Sequence, residues 1–294
     1  MKFGTDGVRG AANTELTADF ALNLGRAAAQ VLSRLGAGSD DLDATDGAPR
    51  GIVVLGGDTR ESTPMFRAAL AAGFAAEGVD VIDMVTATTP LVAFEAQRLG
   101  VMGAVISASH NPFGDNGIKL FAPGGTKLPD DVEAQIETAL GVLGDPGTSI
   151  GRIGVHHDAT HYAQHVLDML GGRDLSGIKV VLDTANGAGT AVAPDVLRAS
   201  GAEVIVIANE PDGRNINAGC GATYPEFVAA AVVEHGADMG VALDGDADRL
   251  IAVDHMGTVV DGDHIIAICA ADLQARGQLA NDTVVVTVMT NLGF

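Results

Sequence analysis

The sequence has no tryptophan, two cysteines (Cys220 and Cys269), only 4% aromatic residues and 17 basic residues against 38 acidic ones. Each shortage excludes something. Two isolated cysteines form neither a disulfide framework nor a metal-binding spacing, which fits a reducing compartment. The net charge of −21 sets the surface against nucleic acid and anionic membranes, so neither is expected as a partner. No apolar run approaches the roughly 18 residues needed to span a bilayer. The opening Met1-Lys2-Phe3-Gly4-Thr5-Asp6 has no apolar stretch of the signal-peptide kind, so a cytoplasmic location is expected.

What is plentiful is aliphatic: 47% of the residues are hydrophobic and 39 are glycine. Thr17 to Leu35 has apolar residues near helical spacing and stops at Gly36, which predicts a helix. Residues 37–50, with Asp40, Asp41, Asp43 and Asp46 among small residues, are too polar to pack and read as a solvated loop. A strand–helix–strand unit follows. Ile52–Leu55 is its first strand, Pro64–Glu77 its helix and Val79–Ile82 its second strand. The pattern recurs from Ile178–Leu182 through a helix ending at Ser200 to Val204–Ile207. Both units imply parallel pairing with right-handed crossovers, and their repetition implies related domains in tandem. Val284–Val288 reads as the first strand of a third unit without its covering helix, so the chain reads as part of a longer protein. The fold class expected is α/β, with mixed, mainly parallel sheets in tandem domains at 1–153, 154–256 and 257–294, and a cleft between them.

Two breaks after apolar strands carry the chemistry. Val101–Ile106 runs into Ser107-Ala108-Ser109-His110-Asn111-Pro112, where proline and asparagine cannot continue a strand. A hydroxyl at the carboxyl end of a buried strand sits where open α/β sheets bind ligands, but a helix-capping serine fits this window equally well. A serine-hydrolase reading of Ser109-His110 fails, because the base is adjacent in sequence and no Gly-x-Ser-x-Gly elbow exists. The second break is Asp244-Gly245-Asp246-Ala247-Asp248-Arg249, between the apolar runs Gly240–Leu243 and Leu250–Val253. Three alternating carboxylates converge only around a cation, and hard oxygen ligands suit Mg²⁺. An EF-hand loop is excluded, since its sixth and twelfth positions would be Arg249 and His255. An unliganded acidic loop is the plain alternative.

Three weaker signals remain. Phe3 to Gly10 is rich in glycine and carries Arg9, which suits close approach to phosphate as well as an ordinary turn. Asp115-Asn116-Gly117-Ile118-Lys119 offers Lys119 as a phosphate ligand or proton shuttle, or else forms a hairpin turn with a solvated lysine. His157, His161 and His165 share one helix face, more simply read as solvated than as a metal site.

Taken in order, Gly-Thr-Asp-Gly-Val-Arg-Gly, Ser-Ala-Ser-His-Asn-Pro, Asp-Asn-Gly-Ile-Lys and Asp-Gly-Asp-Ala-Asp-Arg resemble the α-D-phosphohexomutase family over nearly the whole chain. The resemblance implies a four-domain enzyme whose first three domains are related α/β units. It makes Ser109 the phosphorylated serine. Asp244, Asp246 and Asp248 become Mg²⁺ ligands, completed by an oxygen of phosphorylated Ser109. Arg249 is placed near that phosphoserine, while Arg9, Lys119 and His110 take part in phosphate contact or proton transfer. The wording of Phe3–Gly10 and Ile106–Lys119 points to the members that interconvert glucosamine 6-phosphate and glucosamine 1-phosphate. These feed UDP-N-acetylglucosamine and peptidoglycan synthesis, with glucosamine 1,6-bisphosphate as intermediate and activating donor. The implied partner is a small sugar phosphate, and the oligomer the resemblance allows is a homodimer. Two alternatives stand at this point: mannose or glucose phosphate as substrate, and a Mg²⁺-dependent sugar-phosphate binding module without turnover. The family's sugar-recognition loop of domain three and phosphate loop of domain four have no counterpart in these 294 residues.

Overall fold

The computed structural model describes residues 2–4, 7–36, 51–291 and 293–294, with the backbone alone for residues 33–36. The expected loop at 37–50 lies outside the described residues. The first unit runs β1 (Val8–Ala11), α1 (Ala18–Gly36), β2 (Ile52–Gly57), α2 (Thr63–Ala76), β3 (Asp80–Thr86), α3 (Thr89–Leu99), β4 (Met102–Ile106), β5 (Asp115–Phe121), α4 (Asp130–Leu140) and β6 (Ile153–Val155). Its sheet has the order β1-β5-β4-β2-β3-β6. The β2–β3, β2–β4 and β3–β6 pairs are parallel; β1–β5 and β4–β5 are antiparallel. The boundary expected after residue 153 therefore runs through a strand, since all of β6 pairs with β3.

Strand alternation explains how the sheet is covered on both faces. Val53 and Leu55 of β2, with Ala104 and Ile106 of β4, pack against Leu24 of α1 and Phe66, Leu70 and Phe74 of α2. Val54 and Val105 face the other way, onto Leu91 and Val92 of α3. Helices α1 and α2 cross at backbone contact: a Cβ on Gly25 would lie 2.5 Å from the Leu70 carbonyl oxygen, and one on Gly73 would strike that of Leu22.

The second unit runs α5 (Thr160–Asp168), β7 (Lys179–Asp183), α6 (Ala193–Ala199), β8 (Glu203–Ile207), α7 (Pro225–His235), β9 (Met239–Leu243), β10 (Leu250–Asp254) and β11 (Val259–Val260). Its sheet order is β11-β10-β9-β7-β8, with β7 parallel to both β8 and β9 and the other pairs antiparallel. Val228 and Val232 of α7 pack on Val181, Ala242 and Val253. The remaining helix is α8 (Gly262–Ala275), started by the Asp261 side chain accepting from the His264 N–H.

One expectation needs correction, and two alternative readings fall away. Val284–Val288 is not a strand: it has no paired neighbour among the described residues, and Val285 and Val288 are exposed. An apolar run becomes a strand only where another strand takes up its backbone groups, and among the described residues none does so. Asn116-Gly117 is not a hairpin turn. It lies inside β5, paired with Gly10 and Arg9 of β1. The hairpin turn is instead the serine loop itself, joining β4 to antiparallel β5, so no helix follows Ser109 for it to cap. Among the described residues no helix is long and apolar enough to cross a membrane.

Candidate active site

Because β2, β3 and β4 are parallel, the loops after them open on one edge of the first sheet, and the loops after β7 and β9 open likewise in the second. These edges meet. Ser109, fully buried and in the left-handed region (φ 53°), donates its hydroxyl to Asp244 Oδ2 at 2.5 Å. Asp244 opens the short connection between β9 and β10, where Leu243 pairs with Leu250. The turn is closed by hydrogen bonds from the Ala247 N–H to the Asp244 carbonyl (3.0 Å) and from the Arg249 N–H to Asp244 Oδ1 (3.1 Å). It gathers Asp244, Asp246 and Asp248, each with a carboxylate oxygen within 4.8 Å of the others.

The carboxylates are held differently. Burial and the Asp246 charge push the Asp244 carboxyl up to about 6, against the stabilising hydrogen bond from Ser109. Burial also opposes the charge on Asp246. There it is outweighed by Lys119 and by the Thr89 hydroxyl, and the carboxyl stays below the ordinary range. Lys119 is 4% exposed, with Nζ 2.9 Å from Asp246 Oδ2 and 3.2 Å from Asp248 Oδ2. It is thus a buried partner of the cluster rather than a solvated hairpin lysine. Thr89, at the start of α3, donates to Asp246 Oδ2 at 2.6 Å, and its N–H meets the Asp246 carbonyl at 3.0 Å. Asp246 Oδ1 is buried with no hydrogen-bond partner. A buried carboxylate oxygen left unmatched beside two further carboxylates is a donor set that fits a divalent cation.

The other expected residues ring this centre. His110 Nδ1 lies 3.5 Å from the Ser109 hydroxyl; burial, then the charges of Arg249 and Arg9, lower its pKa. Arg249 is half exposed, its Nε 3.7 Å from Asp248 Oδ1 and 4.0 Å from Asp244 Oδ2. Arg9 stands on β1 opposite Gly117, two residues from Lys119 on β5. The histidine trio stays outside the centre. His157 precedes α5, and His165 stacks on Phe94 with ring centroids 4.8 Å apart. Among the described residues the three aspartates are the one cluster arranged to hold a metal.

Sequence reasoning missed the residues that hold the serine loop. Asp58, directly after β2, accepts from Ser107 Oγ (2.7 Å) and from Arg60 Nε (2.8 Å); Ser107 Oγ in turn accepts the Ser109 N–H (2.9 Å). The signal was available in Gly-Gly-Asp-Thr-Arg, a charged run at the carboxyl end of a strand buried from Val53 onward.

Comparison with known proteins places this arrangement. Family models for phosphoglucomutase/phosphomannomutase alpha/beta/alpha domains I, II and III match residues 1–142, 160–257 and 261–294. A phosphoglucosamine mutase from Desulforamulus reducens is 50% identical over 298 residues, covering 99% of this chain and 64% of its own length. One from Nocardioides sp. is 52% identical over 297 residues, with the same coverage. The chain thus spans just under two thirds of these relatives. A crystal structure of a phosphoglucomutase/phosphomannomutase family protein from Burkholderia thailandensis superposes with a TM-score of 0.78 at 27% identity, covering 94% of this chain and 59% of that one. A serine at one sheet edge, three aspartates at the next and matches to three successive domain models lead to one conclusion: the chain belongs to the phosphoglucomutase/phosphomannomutase family.

Proposed function

We propose that this chain carries the phosphoryl-transfer centre of a phosphoglucosamine mutase, which interconverts glucosamine 6-phosphate and glucosamine 1-phosphate through glucosamine 1,6-bisphosphate. The observation that carries the reading is the 2.5 Å contact between the Ser109 hydroxyl and Asp244, made across two domains inside a carboxylate cluster. Identity of about half with relatives of that name supports the amino-sugar substrate over glucose or mannose phosphate. The scarcity of cysteine supports work in the cytoplasm.

In the first half-reaction the phosphorus–oxygen bond to Ser109 breaks as a bond to a sugar hydroxyl oxygen forms, and the hydroxyl proton passes to the serine oxygen. In the second, the Ser109 oxygen forms a bond to the other phosphorus of the bisphosphate as the bond from that phosphorus to the sugar oxygen breaks, and the serine proton passes to the sugar oxygen. Asp244, Asp246 and Asp248, with a phosphate oxygen on Ser109, would hold Mg²⁺, which when bound offsets charge on the transferring group. His110, with its pKa lowered by burial and 3.5 Å from the serine oxygen, can accept and return the proton. Lys119 and Arg249 add positive charge to the carboxylate cluster, through Asp246 and Asp248. Arg249 suits a phosphate contact because it never needs to lose its proton.

Two measurements test this. At the full length of the relatives, glucosamine 6-phosphate is expected to be converted faster than glucose or mannose 6-phosphate; faster turnover of either neutral sugar would overturn the amino-sugar assignment. Divalent-cation binding should also depend on pH. Because the Asp244 carboxyl sits near 6 without metal, a proton competes for it in acid. Mn²⁺ affinity is therefore expected to be level above that pH and to fall toward about tenfold per unit below it. Calorimetric titration at pH 5, 6 and 7 reads this, and equal affinity at all three would remove Asp244 from the site.

A further inference from the structure

The Ser109 carbonyl oxygen is a meeting point of three loops. Arg60 Nη2, from the loop after β2, donates to it at 2.9 Å. Asn217 Nδ2, from the second unit, also donates to it at 2.9 Å. The turn carrying the aspartates presses on it from a third side, since a Cβ on Gly245 would lie 2.5 Å from this oxygen and 2.9 Å from Asn217 Nδ2. The same two side chains also share the Asn111 carbonyl, Arg60 at 2.8 Å and Asn217 at 3.3 Å. One cation from the first unit and one amide from the second therefore hold the carbonyls on either side of His110.

The construction of Asn217 supports a dedicated role. Its backbone is left-handed (φ 57°), and its N–H is tied to the Ala185 carbonyl at 2.9 Å, so the side chain leaves a fixed base. Its Oδ1 is buried without a partner. An amide kept with its acceptor end unmatched is held for what its donor end does. Neighbouring contacts brace the same seam: Thr59 Oγ1 donates to the Asn186 carbonyl at 2.5 Å, and the Glu61 N–H donates to the Gly213 carbonyl at 2.9 Å.

We propose that Asn217 and Arg60 are positioning residues that clamp the Ser109 carbonyl from opposite domains and so fix the serine oxygen over the aspartate cluster. The catalytic part of this proposal rests on reading Ser109 as the phosphoryl carrier; the clamp itself does not. Ser109 occupies a backbone region unfavourable to a side-chain-bearing residue, so it needs outside contacts to keep it there. During turnover its oxygen must alternate between leaving group and nucleophile without moving away from the cluster, and a displacement of about 1 Å at such a centre can reduce rate by about 10²-fold. Asn217 brings the second domain into that constraint, so that the same domain supplies the carboxylates and aims the serine at them.

The test uses the protein at the full length of its relatives, with Asn217→Ala, Asn217→Asp and, as a control, Ser109→Ala. Hydrogen exchange of residues 107–112 reads the clamp, with β7 as the internal reference for global stability. Both Asn217 variants are expected to exchange roughly tenfold faster in the serine loop, with β7 unchanged. Asn217→Asp should be at least as affected as Asn217→Ala, because a carboxylate would face two carbonyl oxygens. In turnover, kcat is expected to fall by about 10²-fold while KM stays within about twofold. Unchanged exchange in the serine loop overturns the clamp, and faster exchange with unchanged kcat overturns its role in positioning. Activity surviving in Ser109→Ala would strike down the phosphoserine reading instead, and the exchange result would then decide the clamp alone.

Discussion

Ser109→Ala is expected to abolish mutase turnover and covalent phosphate together, while leaving the fold standing. Serine and alanine differ by one hydroxyl, and that hydroxyl makes one strong contact, to Asp244 at 2.5 Å. Both residues suffer similarly in the left-handed backbone region, so the loop gains little new strain. The grips of Arg60 and Asn217 are on the carbonyl oxygen and survive the change. What is lost is the atom proposed to carry the phosphoryl group, and no neighbouring hydroxyl replaces it: Ser107 Oγ is already committed to Asp58 and to the Ser109 N–H. Removing a nucleophile of this kind lowers turnover by at least about 10⁴-fold. A coupled assay on the full-length protein, with intact-mass detection of phosphate after exposure to the sugar bisphosphate, reads both effects. Persistence of either turnover or covalent phosphate would refute the assignment. The variant should still bind divalent cation through its three aspartates, which separates loss of the nucleophile from loss of the metal site.

The residues proposed to do chemistry were legible for a common reason. Ser109 and the three aspartates each interrupt an apolar strand, and a polar break at the carboxyl end of a buried strand is visible in a window of a dozen residues. The helix read at Thr17–Leu35 and observed at Ala18–Gly36 was legible from its period, as were both strand–helix–strand units. The residues that orient the chemistry were not visible in this way. Asn217 acts on a carbonyl 108 positions earlier, and Arg60 on carbonyls about 50 positions later. No local pattern encodes a donor whose acceptors are backbone atoms elsewhere. Lys119 stood open between a working lysine and a solvated one because Asn116-Gly117 has the composition of a turn. The glycine is there for another reason: a Cβ on Gly117 would lie 2.6 Å from the Ser107 carbonyl oxygen, so the close passage of β5 beside the serine loop needs it. The Val284–Val288 run shows the opposite limit, since periodicity and apolar content do not supply the partner strand that a ladder requires.

Arg60→Leu is expected to produce the largest loss of stability of any single change near the site. The Arg60 guanidinium is fully buried and spends all five of its N–H donors. Nε goes to Asp58, Nη1 to the carbonyls of Pro112 and Asp115, and Nη2 to those of Ser109 and Asn111. Leucine would leave the buried Asp58 charge without its cation and four carbonyls without that donor, a loss of about 3–5 kcal/mol for the broken ion pair. Against a typical domain stability of about 5–15 kcal/mol this is a large share, and thermal unfolding should fall by about 10 °C or more. Arg60→Lys should fall between leucine and wild type, because an ammonium keeps the charge but has three donors for five acceptors. The double variant Asp58→Asn/Arg60→Leu should be more stable than Arg60→Leu alone, since the orphaned charge is then gone; the amide oxygen can still accept from Thr63 Oγ1 at the Oδ1 position, while the amide nitrogen at the other position would donate to Ser107 Oγ. An Arg60→Leu protein melting within about 1 °C of wild type would mean the pair is replaceable by apolar packing, as some buried ion pairs are. The geometry argues against that outcome: an apolar side chain of equal volume can fill the space under the serine loop, but it cannot satisfy five acceptors that the turn from β4 to β5 directs at one point.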